Sequence, residues 1–207
     1  MRRPATLLIA FVLVLAANAA GAESYATLLE GSRAFRDGRY PEALVAFRVA
    51  ERQASSGREA VWYTAATLYK LGRVDEALAA FDKAGREAPE LRDTVLDFYF
   101  ASAAFEARLY LTADERLATL APQAGPKLRS EVQRLRDRIA RLFDTAPDTK
   151  AIDWYLARAG AERAAGHAAL SRAFFAEAAA LSRKRGPPHH RLDEALDGLG
   201  PRTGGAK

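Results

Sequence analysis

The sequence predicts an all-α protein made of stacked antiparallel helix pairs, and three observations predict it. A fifteen-residue stretch recurs at a fixed spacing, apolar residues keep a helical step, and glycines and prolines fall where such helices would stop.

The repeat comes first because a fixed period settles the architecture. Residues 36–50, RDGRYPEALVAFRVA, align without a gap on residues 70–84, KLGRVDEALAAFDKA, at an offset of 34. Gly38 matches Gly72, Arg39 matches Arg73, Glu42-Ala43-Leu44 matches Glu76-Ala77-Leu78, and Ala46, Phe47 and Ala50 match Ala80, Phe81 and Ala84. Eight identities in fifteen positions are hard to reach by chance. The segment YKLGRVDEALAAFDKA, followed by Pro89, resembles the second half of the tetratricopeptide repeat, as found in exported bacterial proteins of that family. The resemblance implies a helix-turn-helix solenoid. Gly72, and Gly38 before it, end a first helix where a left-handed residue costs least. Ala77 and Ala43 let paired helices approach, Phe81 and Phe47 fill the gap, Ala84 and Ala50 let the next unit dock, and Pro89 stops the helix.

A third unit follows with altered spacing. Residues 92–107 read as its first helix, and Tyr110, Ala113, Leu117 and Leu120 take the places of Tyr40, Ala43, Phe47 and Ala50. Two residues are inserted before its turn, and Arg108 stands where glycine is expected. Residues 126–143 then break the period: Leu128, Val132, Leu135, Ile139 and Leu142 form one apolar stripe, which ends at Asp144-Thr145-Ala146-Pro147. A last pair spans about 150–165 and 168–184, turning at Gly166, with Ser171, Phe175 and Ala178 in the small, large and small places. Residues 23–185 thus hold three to four helix pairs plus one extra helix, and residues 186–207, rich in Gly and Pro, read as a flexible tail.

The first 22 residues stand apart. Arg2 and Arg3, an uncharged apolar run from Leu7 to Ala17, and Ala20-Gly21-Ala22 have the pattern of a secretory signal peptide, with release at Glu23. The alternative is an uncleaved anchor, although the run is short for a membrane span. The expected location is the periplasm, with the processed chain soluble. There is no cysteine, which excludes disulfides, thiol catalysis and cysteine-held metal. Charges of both signs are interspersed at a net +5, a pattern of solubility more than of nucleic-acid binding.

Catalytic patterns are missing. Neither a nucleophile elbow nor a phosphate-cradling glycine loop occurs, so no enzyme and no cofactor are expected. His189-His190 lack a third ligand, His167 sits at a helix start, and Asp93 and Asp97 read as an ordinary pair on a charged helix surface. The helix at 126–143 is basic, with Lys127, Arg129, Arg134, Arg136, Arg138 and Arg141 against Glu131 and Asp137. That leaves weak contact with an anionic surface open beside the reading of a solvated face.

The resemblance also implies a ligand face along the first helices of the pairs. Leu28 and Phe35, Trp62 and Tyr69, and Phe98 and Phe105 stand seven apart, on one face of each helix; Leu156 and Arg163 break the series. The expected partner-binding residues are Phe35, Arg36, Trp62, Tyr69, Lys70, Phe98 and Phe105, since aromatic and basic side chains dominate interface hot spots. The same rings could instead pack between helices. Leu28 and Ser32 do not support a carboxylate clamp of the family type. The expected function is that of a non-catalytic adaptor holding a partner protein or peptide in an envelope assembly. The alternative is a structural subunit built permanently into an oligomer.

Overall fold

One turn geometry, used four times, organises the chain. The computed structural model describes residues 25–53, 56–144, 149–184 and 197, and the leader and tail expected at the two ends lie outside these, apart from Asp197. The described residues form helices and no strand: α1 (25–36), α2 (Tyr40–Ala50), α3 (Gly57–Lys70), α4 (Val74–Glu87), α5 (Thr94–Glu106), α6 (Tyr110–Leu120), α7 (Pro126–Asp144), α8 (Thr149–Ala164) and α9 (Ala168–Lys184). Single 3-10 turns at Pro89–Leu91 and Ala121–Gln123 follow α4 and α6. Pro89 therefore sits just past the end of α4, where its missing N–H costs no helical bond.

The turns after α1, α3, α5 and α8 carry a left-handed residue at Gly38, Gly72, Arg108 and Gly166, with φ of 76°, 74°, 65° and 80°. At each, the next N–H reaches back five residues: Arg39 to Ala34, Arg73 to Leu68, Leu109 to Ala104 and His167 to Glu162, at 2.8 to 3.0 Å. This is a Schellman closure, which satisfies carbonyls that a helix end leaves open. Arg108 is the departure from glycine. Its conformation is held by α8, whose Tyr155 hydroxyl donates to the Arg108 carbonyl at 2.7 Å and whose Trp154 ring lies 5.3 Å from the guanidinium.

Counted from these residues, the four pairs share one packing register. Five positions on stand Ala43, Ala77, Ala113 and Ser171; seven positions back stand Gly31, Ala65, Ala101 and Ala159; all are buried. These are the crossing points of the paired helices. Ser171 Oγ donates to the Ala159 carbonyl at 2.8 Å, and a Cβ on Gly31 would fall 2.7 Å from the Phe47 ring. Phe47, Phe81, Leu117 and Phe175 fill the next layer, followed by Ala50, Ala84, Leu120 and Ala178. The small, large and small places expected in every unit are all in the core.

The last three helices depart from simple stacking. α7 packs on α5 and α6 as α5 packs on α3 and α4. It buries Val132, Leu135 and Ile139, half-buries Leu128, and leaves Leu142 exposed. The α8–α9 pair does not extend the row. It folds back so that α9 contacts α4 and α6, the second helices of their pairs. One carboxylate pins this arrangement. The N-cap of α6, Leu109, has no capping side chain, and Glu177 of α9 accepts the Leu111 N–H at 2.6 Å in its place. Glu177 is 1% exposed, and burial, opposed by the Leu111 and Thr112 N–H groups, raises its pKa from 4.5 to about 8. Arg158 of α8 adds a 2.6 Å ion pair to Asp75 at the start of α4.

Two predictions follow from this packing. Ala77→Leu would overpack a helix crossing, and thermal or chemical unfolding should register a loss of about 1–3 kcal/mol. Glu177 binds its proton more tightly folded than unfolded. Stability from this group is therefore full below about pH 4.5 and is lost as pH rises to about 8. Glu177→Gln keeps the acceptor without the charge, and its unfolding free energy should vary less with pH across that window.

Candidate functional site

α5 is apolar on every side, TVLDFYFASAAFE, as expected of a helix with neighbours all round. Its N-terminus is fixed by Asp93, whose carboxylate accepts the Val95 and Leu96 N–H groups at 2.8 Å each. Leu96, Ala101, Ala103 and Ala104 go into the core. Phe98, Ser102 and Phe105 share another face, and with Tyr69 of α3 they line one side of a groove of about 470 Å³. The opposite wall is α7, which contributes Glu131, Arg134, Leu135 and Arg138. That spacing of three, four and seven places the four on one face of the helix.

The groove combines rings with fixed charge. Arg138 lies 4.7 Å from the Phe105 ring centre. The Tyr69 hydroxyl donates to Glu106 at 3.1 Å; burial first, then that carboxylate, push the phenol up to about 12, so it stays a donor at neutral pH. Beside the groove, Tyr99 joins the units: its ring stands 6.0 Å from Tyr69 and 5.9 Å from Phe35, and Lys70 Nζ lies 5.2 Å above it. Two acids and two arginines line the groove around aromatic surface.

The residues expected on the recognition face thus divide. Tyr69, Phe98 and Phe105 are half-buried and line the groove; Phe35 and the exposed Lys70 and Arg36 lie outside its lining, Phe35 packing edge-on against Tyr40 and Tyr99. Trp62 is a correction. It is 3% exposed, and its Nε1–H donates to the Ala88 carbonyl at 2.8 Å, which ties it beneath the α4–α5 link with its ring 6.1 Å from Phe81. Leu28 and Leu156 occupy the corresponding positions and are buried as well. The position ten residues before the turn is therefore core in three of the four pairs, Phe98 being the exception, and the position three residues before it stays partly open, although both lie on one helical face.

The basic stripe of α7 also resolves differently from a uniform solvated surface. Arg136 pairs with Asp114 at 2.8 Å and Arg129 donates to the Ala124 carbonyl at 2.9 Å, so both serve packing, while Arg134 and Arg138 wall the groove. The carboxylate pair at Asp93 and Asp97 is not a surface pair either, because Asp97 is buried. His167 Nδ1 stands 2.8 Å from Glu162, and among the described residues no three acidic or histidine side chains cluster as metal ligands would. His189 and His190 lie outside the described residues.

Sequence reading missed α7 as the groove wall. The signal was present in Glu131, Arg134, Leu135 and Arg138, but only the packing of α7 beside α5 aims that face at Phe98.

The division between Trp62 and Phe98 can be measured. Trp62→Ala should cost about 3–5 kcal/mol, as for a large buried aromatic, and Phe98→Ala clearly less. Equal losses in denaturant titrations would place both rings in the core.

No protein-family model matches the chain, and no curated protein is significantly similar to it.

Proposed function

We propose that this chain is an exported adaptor of the tetratricopeptide type, without catalytic activity, that holds an extended segment or helix of a partner protein in the groove between α3, α5 and α7. The observation that carries the reading is the groove itself: Tyr69, Phe98 and Phe105 on one side and Arg134 and Arg138 on the other. Aromatic rings and arginines are the residue types that concentrate binding energy at interfaces. The repeated left-handed turns with small residues at the helix crossings support the assignment of repeat type. Export rests on residues 1–22, and it agrees with the lack, among the described residues, of a helix long and apolar enough to cross a membrane.

A second reading, a subunit built into an oligomer, is favoured by one observation. Tyr25 and Leu29 on α1 and Val45 and Val49 on α2 are 43–66% exposed, an apolar surface on the first pair. Light scattering across concentration separates the two, since a permanent oligomer keeps one large mass and the adaptor is a monomer.

The adaptor reading is tested by a photo-crosslinking residue placed at position 98 in the groove or at the exposed position 118 of α6, in cells. A partner captured from position 98, not from 118, and lost on Arg138→Ala is the expected result. Equal capture from both positions overturns the groove assignment.

A further inference from the structure

A second cavity, of about 350 Å³, lies between α4, α5, α6 and α9 and shares no lining residue with the groove. Its apolar wall is a chain of rings: Trp62 stands 6.1 Å from Phe81, and Phe81 stands 5.4 Å from Phe100. Its polar wall is Asp97 with Arg92 and Arg116. Asp97 is 7% exposed, and its Oδ1 accepts no hydrogen bond among the described residues. The two guanidiniums approach that atom at 3.3 and 3.9 Å, beyond ordinary hydrogen-bond length. Asp82 is engaged by Arg86. Within the cavity lining one carboxylate is therefore left to balance two arginines, and the half-buried Arg116 lies 5.0 Å from the Phe100 ring centre.

This arrangement is unfinished as a structural ion pair. Burial lowers the affinity of Arg116 for its proton, and the neighbouring Arg92 adds to this. A guanidinium fork in such surroundings gains most from a planar oxyanion it can grip with two parallel bonds. The volume is in the range of small-molecule sites, and an apolar wall with a few convergent polar groups is their usual make-up.

We propose that this cavity binds a small organic acid, its carboxylate seated on Arg92 and Arg116 and its apolar body lying against Trp62, Phe81 and Phe100. Asp97 holds the two guanidiniums in place and offers its open oxygen to a hydroxyl or amino group beside the ligand carboxylate. The site is independent of the groove, so its failure would leave the adaptor reading untouched.

Isothermal titration of the purified protein with 3-phenylpropionate, with 3-phenylpropanol and inorganic phosphate as comparisons, tests the proposal. The acid should bind at least tenfold more tightly than either, and Arg116→Gln should weaken it about tenfold or more, the loss of one charge-assisted contact. Gly85 lines the cavity, and a Cβ there would meet nothing within 4 Å. Gly85→Leu should therefore fold and block binding even if Arg116→Gln fails to fold. No measurable binding of the acid at millimolar concentration overturns the site, as does alcohol or phosphate binding equal to the acid. Undiminished binding by folded Gly85→Leu overturns it too.

Discussion

The close crossing of paired helices is the constraint on which the rest of the structure depends. Each pair reverses on one left-handed residue, and the helices then meet where a small residue five positions on faces another seven positions back. At that distance only Gly, Ala or Ser fits, as the Ser171 bond to the Ala159 carbonyl illustrates. Close backbones leave room for one large side chain per pair in the next layer, which Phe47, Phe81, Leu117 and Phe175 supply. Stacking follows, because every pair presents a similar face to its neighbour.

The chain does not keep stacking to the end. α7 takes the place of a next first helix, and the α8–α9 pair turns back across α4 and α6. Glu177 makes this return specific: a carboxylate on α9 completes the helix start at α6, where the local sequence has no capping side chain. Favourable alignment with the positive end of α6 opposes the desolvation of a buried acid, and burial prevails. The contact therefore ties the fold to pH as well as to position.

α5 sits at the centre of both candidate sites. Phe98, Ser102 and Phe105 face α7 and the groove, while Asp97 and Phe100 face α9 and the second cavity. An apolar helix with covered sides is a rigid support, since its side chains are fixed by neighbours rather than by solvent. The proposed protein partner and the proposed small acid would thus meet opposite faces of one element, placed by Asp93 at its N-cap.

Local chemistry sufficed for the helices and their pairing. The offset of 34 between Gly38 and Gly72, the alternation of alanine with phenylalanine, and Pro89 after α4 are signals within one unit, so the sequence by itself determined the all-α class, the turns and the packing register. The Arg108 turn was also legible, from its neighbours rather than from its own residue. The fate of each ring was not. Trp62 and Phe98 hold equivalent places, yet Trp62 is drawn into the core by the Ala88 carbonyl while Phe98 opens toward α7. Likewise Asp97 reads as a surface acid until α9 and α6 close over it. Periodicity states which residues share a helix face. Which element covers that face, and whether it seals it or leaves a groove, depends on contacts between residues far apart in the chain, and only the tertiary structure decides them.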